Sequence, residues 1–103
     1  MKEAEPVQHS AVEEEFNSLA EQWYREMGMV SLMHKKALHP AYQRIIGMGK
    51  DALPFIFREL KQRRGHWLWA LVAITGKDPA KPDHSFAEAV EAWLRWGEQH
   101  GYL

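Results

Sequence analysis

The sequence predicts an all-α protein, folded as a compact bundle of five to six short helices. Apolar residues recur at i+3 and i+4 spacing along most of the chain, which is the period of an amphipathic helix. The S-x-x-E form of a helix capping box occurs at Ser10 with Glu13 and again at Ser85 with Glu88. No segment has the residue pattern of a β-strand together with a second strand to pair with it, so we expect no β-sheet.

The composition fits one small domain. The chain has 103 residues, 46% of them hydrophobic and five of them Trp, which is enough apolar material for a core. The polar segment 1–9 predicts a flexible N-terminal tail, and residues 10–103 predict a single helical domain. There is no Cys, no basic and apolar leader and no apolar run of bilayer length. We therefore expect a soluble cytoplasmic protein that does not interact with a membrane.

The first half of the chain contains three predicted helices. The longest runs from about residue 11 to 27 and ends at Gly28. Residues 29–38 predict a short second helix, and His39-Pro40 starts a third because Pro fits a first helical turn. The glycines of GMG (47–49) end the third helix. The apolar faces of the first and third helices are Val12, Phe16, Leu19, Ala20, Trp23, Met27, Tyr42, Ile45 and Ile46.

Two more amphipathic helices are predicted in the second half. One starts at Asp51 and accepts Pro54 in its first turn. Its apolar stripe is Leu53, Ile56, Phe57 and Leu60. The other starts at the Ser85 capping box and ends at Gly101. Its stripe is Phe86, Val90, Trp93, Leu94 and Gly97.

Between these two helices lies RRGHWLWALVAITGKDP, residues 63–79, in which two Trp follow a pair of Arg. Eight consecutive apolar residues do not distinguish a strand from a helix by periodicity alone. We predict a helix over 67–75, because no partner strand exists and Gly76 stands where a C-terminal helix glycine belongs. A helix that is apolar on nearly all sides is expected to be buried. The core is therefore predicted to contain Trp67, Trp69 and Trp93.

Three segments of the second half, GMGKDALPFIFREL, HWLWALVAITGKDP and AVEAWLRWGEQHGY, resemble a HEAT-type helical repeat of the phycobilin-lyase-like kind. The shared features are ALP at the start of a helix, a Leu stripe, a TG corner and a W-x-x-W closing helix, over roughly residues 47–102. The resemblance implies a HEAT-like antiparallel helix pair at the centre of the bundle. Members of this family mostly bind other macromolecules, so it also implies a binding role without catalytic residues. One unit is clear here, whereas a solenoid needs about three.

No motif in the chain indicates catalysis, a metal or a cofactor. Two His that share a helix face need i, i+4 spacing to ligate a metal, and none of the six His has it. GMGKD and TGKD lack the leading Gly and the final Ser or Thr of a phosphate-binding loop, and there is no G-x-S-x-G nucleophile elbow. We predict no enzyme activity, no metal and no cofactor. A convergence of His34, His39 and His66 in the fold would instead indicate an enzyme.

The net charge of −1 hides an uneven distribution. Residues 1–26 hold two basic and seven acidic side chains, whereas residues 27–64 hold eight basic and two acidic ones. The basic middle either faces the acidic first helix within the fold or binds an anionic partner. Met29 and Met33 add adaptable apolar groups that suit either a core or a binding surface.

The leading prediction is a non-catalytic interaction module that binds a protein partner through the surface of residues 29–64. Its predicted contact residues are Met29, Met33, Lys35, Lys36, Arg44, Arg58, Lys61, Arg63 and Arg64. The alternative is a nucleic-acid-binding accessory protein that uses the basic stripe of residues 35–64, with Trp67 or Tyr42 as a stacking neighbour. The pI of about 6.6 favours the protein partner over nucleic acid. A homodimer is a further alternative, because one HEAT-like unit leaves a flank to cover.

Overall fold

The computed structural model describes residues 7–28, 33–63 and 66–103, and the side chains of residues 11–28, 35–62 and 66–103. The α-helices are α1 (Val7–Met27), α2 (Met33–Leu38), α3 (Pro40–Gly47), α4 (Leu53–Arg63), α5 (Leu68–Thr75) and α6 (Phe86–Gln99), and a 3₁₀ helix covers Gly49–Ala52. No strand occurs in these residues, so the all-α prediction is confirmed for them. None of the helices described is both long enough and apolar enough to cross a bilayer.

The chain divides into two compact units, Met1–Ala52 and Leu53–Leu103. The first contains α1, α2, α3 and the 3₁₀ helix, and the second contains α4, α5 and α6. Most of the predicted N-terminal tail, residues 1–9, lies outside the described residues.

In the first unit α1 packs along α3, and α2 and the 3₁₀ helix also contact α3. Phe16 and Trp23 of α1 are buried, as are Tyr42 and Ile45 of α3. Their i+3 and i+4 spacing predicted these faces. The Nε1–H of Trp23 donates to the backbone carbonyl of Lys36 at 2.8 Å, so the polar group of this buried indole is satisfied.

The start of α1 differs from the prediction. The helix begins at Val7, four residues earlier than expected. Ser10 therefore lies inside the helix, and the prediction that it caps the N-terminus together with Glu13 is wrong. No helix-breaking residue stands between Val7 and Ser10, so the S-x-x-E pattern here falls within a continuing helix. Residues 29–32 of the predicted second helix lie outside the described residues.

The ends of α3 are those that were predicted. His39 is its N-cap, with the Nδ1 atom accepting the backbone N–H of Ala41 at 3.0 Å, and Pro40 occupies the first helical position. After the last helical residue, Gly47, the chain passes through Gly49 with a φ of +69°. Glycine adopts this left-handed conformation without a Cβ clash, so GMG stops the helix and redirects the chain into the 3₁₀ helix.

In the second unit α4 packs against α6. Pro54 is the second residue of α4 and so lies in the first turn, where its missing N–H costs no helical hydrogen bond. The largest fully buried side chains of this unit are Leu53, Ile56, Phe57, Leu60, Trp67, Leu71, Val90 and Trp93. Trp67 and Trp93 are among these buried side chains and are therefore core residues, as predicted. Burying a large apolar side chain contributes roughly 1.5–3 kcal/mol to stability.

The predicted capping box at the start of α6 is confirmed. The Ser85 Oγ accepts the backbone N–H of Glu88 at 3.2 Å, and the Glu88 Oε1 accepts the backbone N–H of Ser85 at 2.8 Å. Hydrogen bonds from Ser85 to the Glu88 carboxylate, above all the one from the Ser85 backbone N–H, favour its ionised form and so hold the pKa of Glu88 below its ordinary value. The N-terminus of α6 is therefore closed by its own side chains.

The other end of α6 closes in a Schellman motif. Gly101 has a φ of +83°, and the N–H of Tyr102 donates to the carbonyl of Gly97 at 2.8 Å. The turn brings the Tyr102 ring onto Phe57 of α4, with ring centres 5.6 Å apart and planes 14° apart. Gly97 also lies against Phe57, so the end of α6 is anchored to α4 by stacked rings and close backbone packing.

Candidate functional site

The nine predicted contact residues are spread over both units. Met29 and Arg64 lie outside the described residues. Met33 and Arg63 belong to α2 and α4, but their side chains lie outside the described part of the chain. The five that are described are Lys35, Lys36 and Arg44 in the first unit and Arg58 and Lys61 in the second. The described basic residues of the predicted stripe of residues 35–64 thus lie on α2, α3 and the 3₁₀ helix in the first unit and on α4 in the second.

Arg44 pairs with the acidic first helix. Its Nη2 lies 3.0 Å from the Oε2 of Glu15, which is on α1 and 29 residues earlier in the sequence. Both side chains are well exposed, so the pair contributes only about 0.2–1 kcal/mol to stability. At Arg44 the basic middle of the chain therefore faces the acidic first helix within the fold. This is the first of the two alternatives, the other being that the basic middle binds an anionic partner.

Arg58 makes its contacts within α4. The Cζ atom lies 5.3 Å from the centre of the Phe55 ring, which is a cation–π geometry, and the Nε lies 4.0 Å from the Oε2 of Glu59. Lys61 is exposed and borders a cleft of about 160 Å³ that acidic residues of α6, including Glu91, also line. The charge around the described basic residues of α4 is therefore mixed rather than uniformly positive.

Trp69 is not in the core, so that prediction is wrong. Its side chain is 49% exposed, whereas Trp67 is fully buried. The physical reason is helical geometry, since successive residues of an α-helix are about 100° apart. Positions i and i+2 are therefore about 200° apart and point to opposite sides. When Trp67 packs into the core, Trp69 must point away from it.

The exposed side of α5 is an apolar surface, called here the α5 face, formed by Trp69, Val72 and Ala73. These residues follow one another at i, i+3 and i+4 and so lie on the same side of the helix. Ala70 and Leu71 lie on the buried side. No charged residue occurs anywhere in α5. The face is thus uncharged, contiguous and centred on a large aromatic ring.

A second exposed aromatic residue lies beside the start of α5. Phe86, the first residue of α6, is 47% exposed, and its ring centre is 5.5 Å from that of His66, which stands two residues before α5. The loop between α5 and α6 therefore returns the chain to the N-terminal end of α5. Apolar surface is thus exposed both along α5 and beside its start.

A sequence signal for this surface existed, although the prediction did not use it. A helix that is apolar all round is expected to be buried on every side, but α5 is only eight residues long in a chain of 103. A domain of this size has few elements with which to surround a central helix. One side of such a helix is then left exposed, and the spacing of Trp67 and Trp69 shows that one Trp belongs to it.

The histidine side chains that the structure describes contact other residues of the chain. The Nε2 of His39 lies 2.7 Å from the Oε1 of Glu26, and this hydrogen bond is the main reason that the pKa of Glu26 lies below its ordinary value. His66 lies against Phe86, and the side chain of His34 lies outside the described part of the chain. Within the described ranges, no group of three or more His, Cys, Asp or Glu side chains could hold a metal ion.

A cleft of about 320 Å³ beside the start of α6 contains His84, Glu88, Glu91 and Arg95. Two of these groups already have hydrogen-bond partners in the backbone. The Nδ1 of His84 accepts the N–H of Lys81 at 3.1 Å, and Glu88 accepts that of Ser85 in the capping box. Both side chains therefore shape the turn that leads into α6.

The comparisons with known proteins assign no relative. No family model matches this chain, and no curated protein or solved structure matches it either.

Proposed function

We propose that this chain is a non-catalytic interaction module that binds another protein through the α5 face. The observation that carries the proposal is the 49% exposure of Trp69 on a helix without a single charged residue. Keeping apolar surface in contact with water, rather than buried, costs about 25 cal/mol of free energy per Å². Patches of this kind on folded domains commonly mark binding surfaces.

The chemistry of the α5 face fits a protein partner better than a nucleic acid. Trp is among the residues that most often dominate the binding energy of protein interfaces. Nucleic-acid affinity depends instead on cations that neutralise phosphates, and α5 has none. The described arginines of the predicted basic stripe, Arg44 and Arg58, already contact Glu15 and Glu59 in the chain.

The resemblance to HEAT-type repeats supports the same function. The first two of its three segments contain most of α4 and all of α5, and members of that family mostly bind macromolecules. A cytoplasmic site of action is part of the proposal, because a chain without Cys needs no oxidising compartment to fold.

The experiment is affinity capture from cells with purified, tagged chain, comparing Trp69→Lys with Leu38→Lys. Leu38 is the matched control, because it is an exposed apolar residue outside α5, at 67% exposure. A stoichiometric protein partner that is retained by Leu38→Lys and lost with Trp69→Lys supports the proposal. Capture that is unaffected by Trp69→Lys contradicts it, and capture that collapses after nuclease treatment supports the nucleic-acid alternative instead.

A further inference from the structure

We propose that His39 is a pH-sensitive switch at the joint between α1 and α3. Its neutral ring caps α3, and protonation of the ring releases that cap. The switch lies in the first unit and does not involve the α5 face.

Both ring nitrogens of His39 have partners, and the two have opposite roles. The Nδ1 atom accepts the backbone N–H of Ala41 at 3.0 Å, and the Nε2 atom lies 2.7 Å from the Oε1 of Glu26. A neutral imidazole has one N–H and one lone pair, so it can accept at Nδ1 while it donates at Nε2. A protonated imidazole has an N–H on both nitrogens and cannot accept. Protonation of His39 and capping of α3 therefore exclude each other.

The amide that loses this acceptor has no replacement within its helix. Ala41 is the second residue of α3, so its N–H is one of the four that an α-helix leaves without a helical acceptor. Ala41 is only 2% exposed, and an unsatisfied N–H at a buried position is unfavourable. The positive end of the helix dipole also disfavours an imidazolium at the start of α3. The first turn of α3 should therefore loosen, so that the Ala41 N–H reaches water.

Glu26 keeps the protonated ring attached to α1. Its carboxylate can accept the Nε2–H in both states, and the contact becomes an ion pair when the ring is charged. The pKa of Glu26 lies below its ordinary value of 4.5, mainly because of this hydrogen bond. The carboxylate is thus ionised throughout the range of about pH 5–8 in which imidazole changes its charge. The change is therefore confined to the contact between His39 and α3.

The charged side chains that the structure describes on the helices around this joint include Arg25 and Glu26 of α1, Lys35 and Lys36 of α2, and Arg44 of α3. Arg25 acts on the Glu26 carboxylate, and Arg44 is paired with another residue of α1. Lys36 contacts His39 through its backbone carbonyl, which accepts the His39 N–H at 3.3 Å. Glu26 is therefore the charged group that acts directly on the ring.

The test is an NMR titration of the isotope-labelled full chain between about pH 5 and pH 8. The ring-nitrogen shifts of His39 report its protonation, and hydrogen exchange of the Ala41 amide reports the cap. The Glu88 amide is the internal control, because it is also capped at a helix start but by the Ser85 hydroxyl, which does not titrate. After correction for the intrinsic pH dependence of exchange, protection of Ala41 relative to Glu88 should fall at least about 5-fold as the ring is protonated.

Two variants separate the roles of the ring and of its carboxylate partner. His39→Asn can still accept the Ala41 N–H but does not titrate, so the protection of Ala41 relative to Glu88 should no longer depend on pH. Glu26→Gln removes the charge that favours the protonated ring, so the cap should be lost at a lower pH than in the wild type.

Several results would overturn the inference. One is an Ala41 amide that keeps its protection while the His39 ring takes up a proton, and another is a ring that stays neutral down to about pH 5. A joint loss of protection at Ala41 and Glu88 would mean global unfolding rather than a local switch. A pH dependence at Ala41 that persists in His39→Asn would show that another group causes it.

Discussion

His39 joins α1 to α3 by using both nitrogens of its ring. The Nδ1 atom accepts the backbone N–H of Ala41 at 3.0 Å, and the Nε2 atom lies 2.7 Å from the Oε1 of Glu26. Because Nδ1 is an acceptor here, Nε2 carries the proton and donates it to the Glu26 carboxylate. One buried side chain therefore caps α3 and ties its first turn to the last turn of α1.

Replacing His39 with Ala should destabilise the chain by about 2 kcal/mol, because it removes a helix cap and a hydrogen bond to a carboxylate. Asn at the same position can still accept the Ala41 N–H but is too short to reach Glu26. His39→Asn should therefore recover about 1 kcal/mol of the loss. Urea unfolding followed by circular dichroism measures both values. Equal stabilities of the two variants would show that the cap contributes nothing.

The capping box of α6 predicts a pH-dependent contribution from Glu88. Its pKa in the folded chain lies below the ordinary value of 4.5, mainly because its carboxylate accepts the Ser85 N–H. The folded chain thus releases this proton more readily than the unfolded chain does, so the stabilisation is fully present above pH 4.5 and is lost as the pH falls through the lowered pKa.

Glu88→Gln isolates this effect, because its amide oxygen can still accept the hydrogen bond but carries no charge. The wild type should be the more stable of the two above pH 4.5, and the difference should disappear in acid. Thermal unfolding at a series of pH values measures it. A difference of the same size at about pH 3 and about pH 7 would contradict the assignment.

The helix ends of the second unit could be predicted, because their chemistry is local. A capping box needs two residues three apart, and Ser85 with Glu88 supplies them. Gly76 ends α5 with a φ of +70°, as its place after an apolar run predicted. The same local rule failed at Ser10, since a pattern of two residues does not show whether a helix has already begun.

The surface that we propose for binding could not be predicted as well, because its exposure depends on tertiary contacts. Linear spacing grouped Arg44 with the other basic residues, but its partner is Glu15, 29 positions earlier. The apolar run of α5 predicted burial, but a run that is apolar on both sides does not indicate which side faces the core. That choice was made by packing, which buried Trp67 and exposed Trp69.

Trp67, the N-cap residue of α5, and Trp69, inside the helix, should respond very differently to replacement by Ala. Trp67→Ala removes a fully buried ring and should cost about 3–5 kcal/mol. Trp69→Ala removes a half-exposed ring and should cost less than about 1 kcal/mol in dilute solution. Denaturant unfolding of the two variants at low protein concentration makes the comparison. A large loss of stability in Trp69→Ala would show that Trp69 packs in the core.

Gly97 and Gly47 form a second matched pair, because both lie in helices and lack a positive φ. Alanine is the better helix former by about 1 kcal/mol, and at Gly47 an added Cβ meets nothing within 4 Å. Gly47→Ala should therefore leave stability unchanged or raise it slightly.

At Gly97 the same methyl group would lie 2.8 Å from the Cε1 of Phe57 and 2.9 Å from its Cδ1. The Phe57 ring is fully buried and stacked on Tyr102, so it cannot move aside without disturbing the end of α6. Gly97→Ala should cost about 1–3 kcal/mol despite the gain in helix propensity. Thermal unfolding of both variants tests this contrast. If Gly97→Ala were as stable as Gly47→Ala, α4 and α6 would have to pack less closely at Gly97 than these distances require.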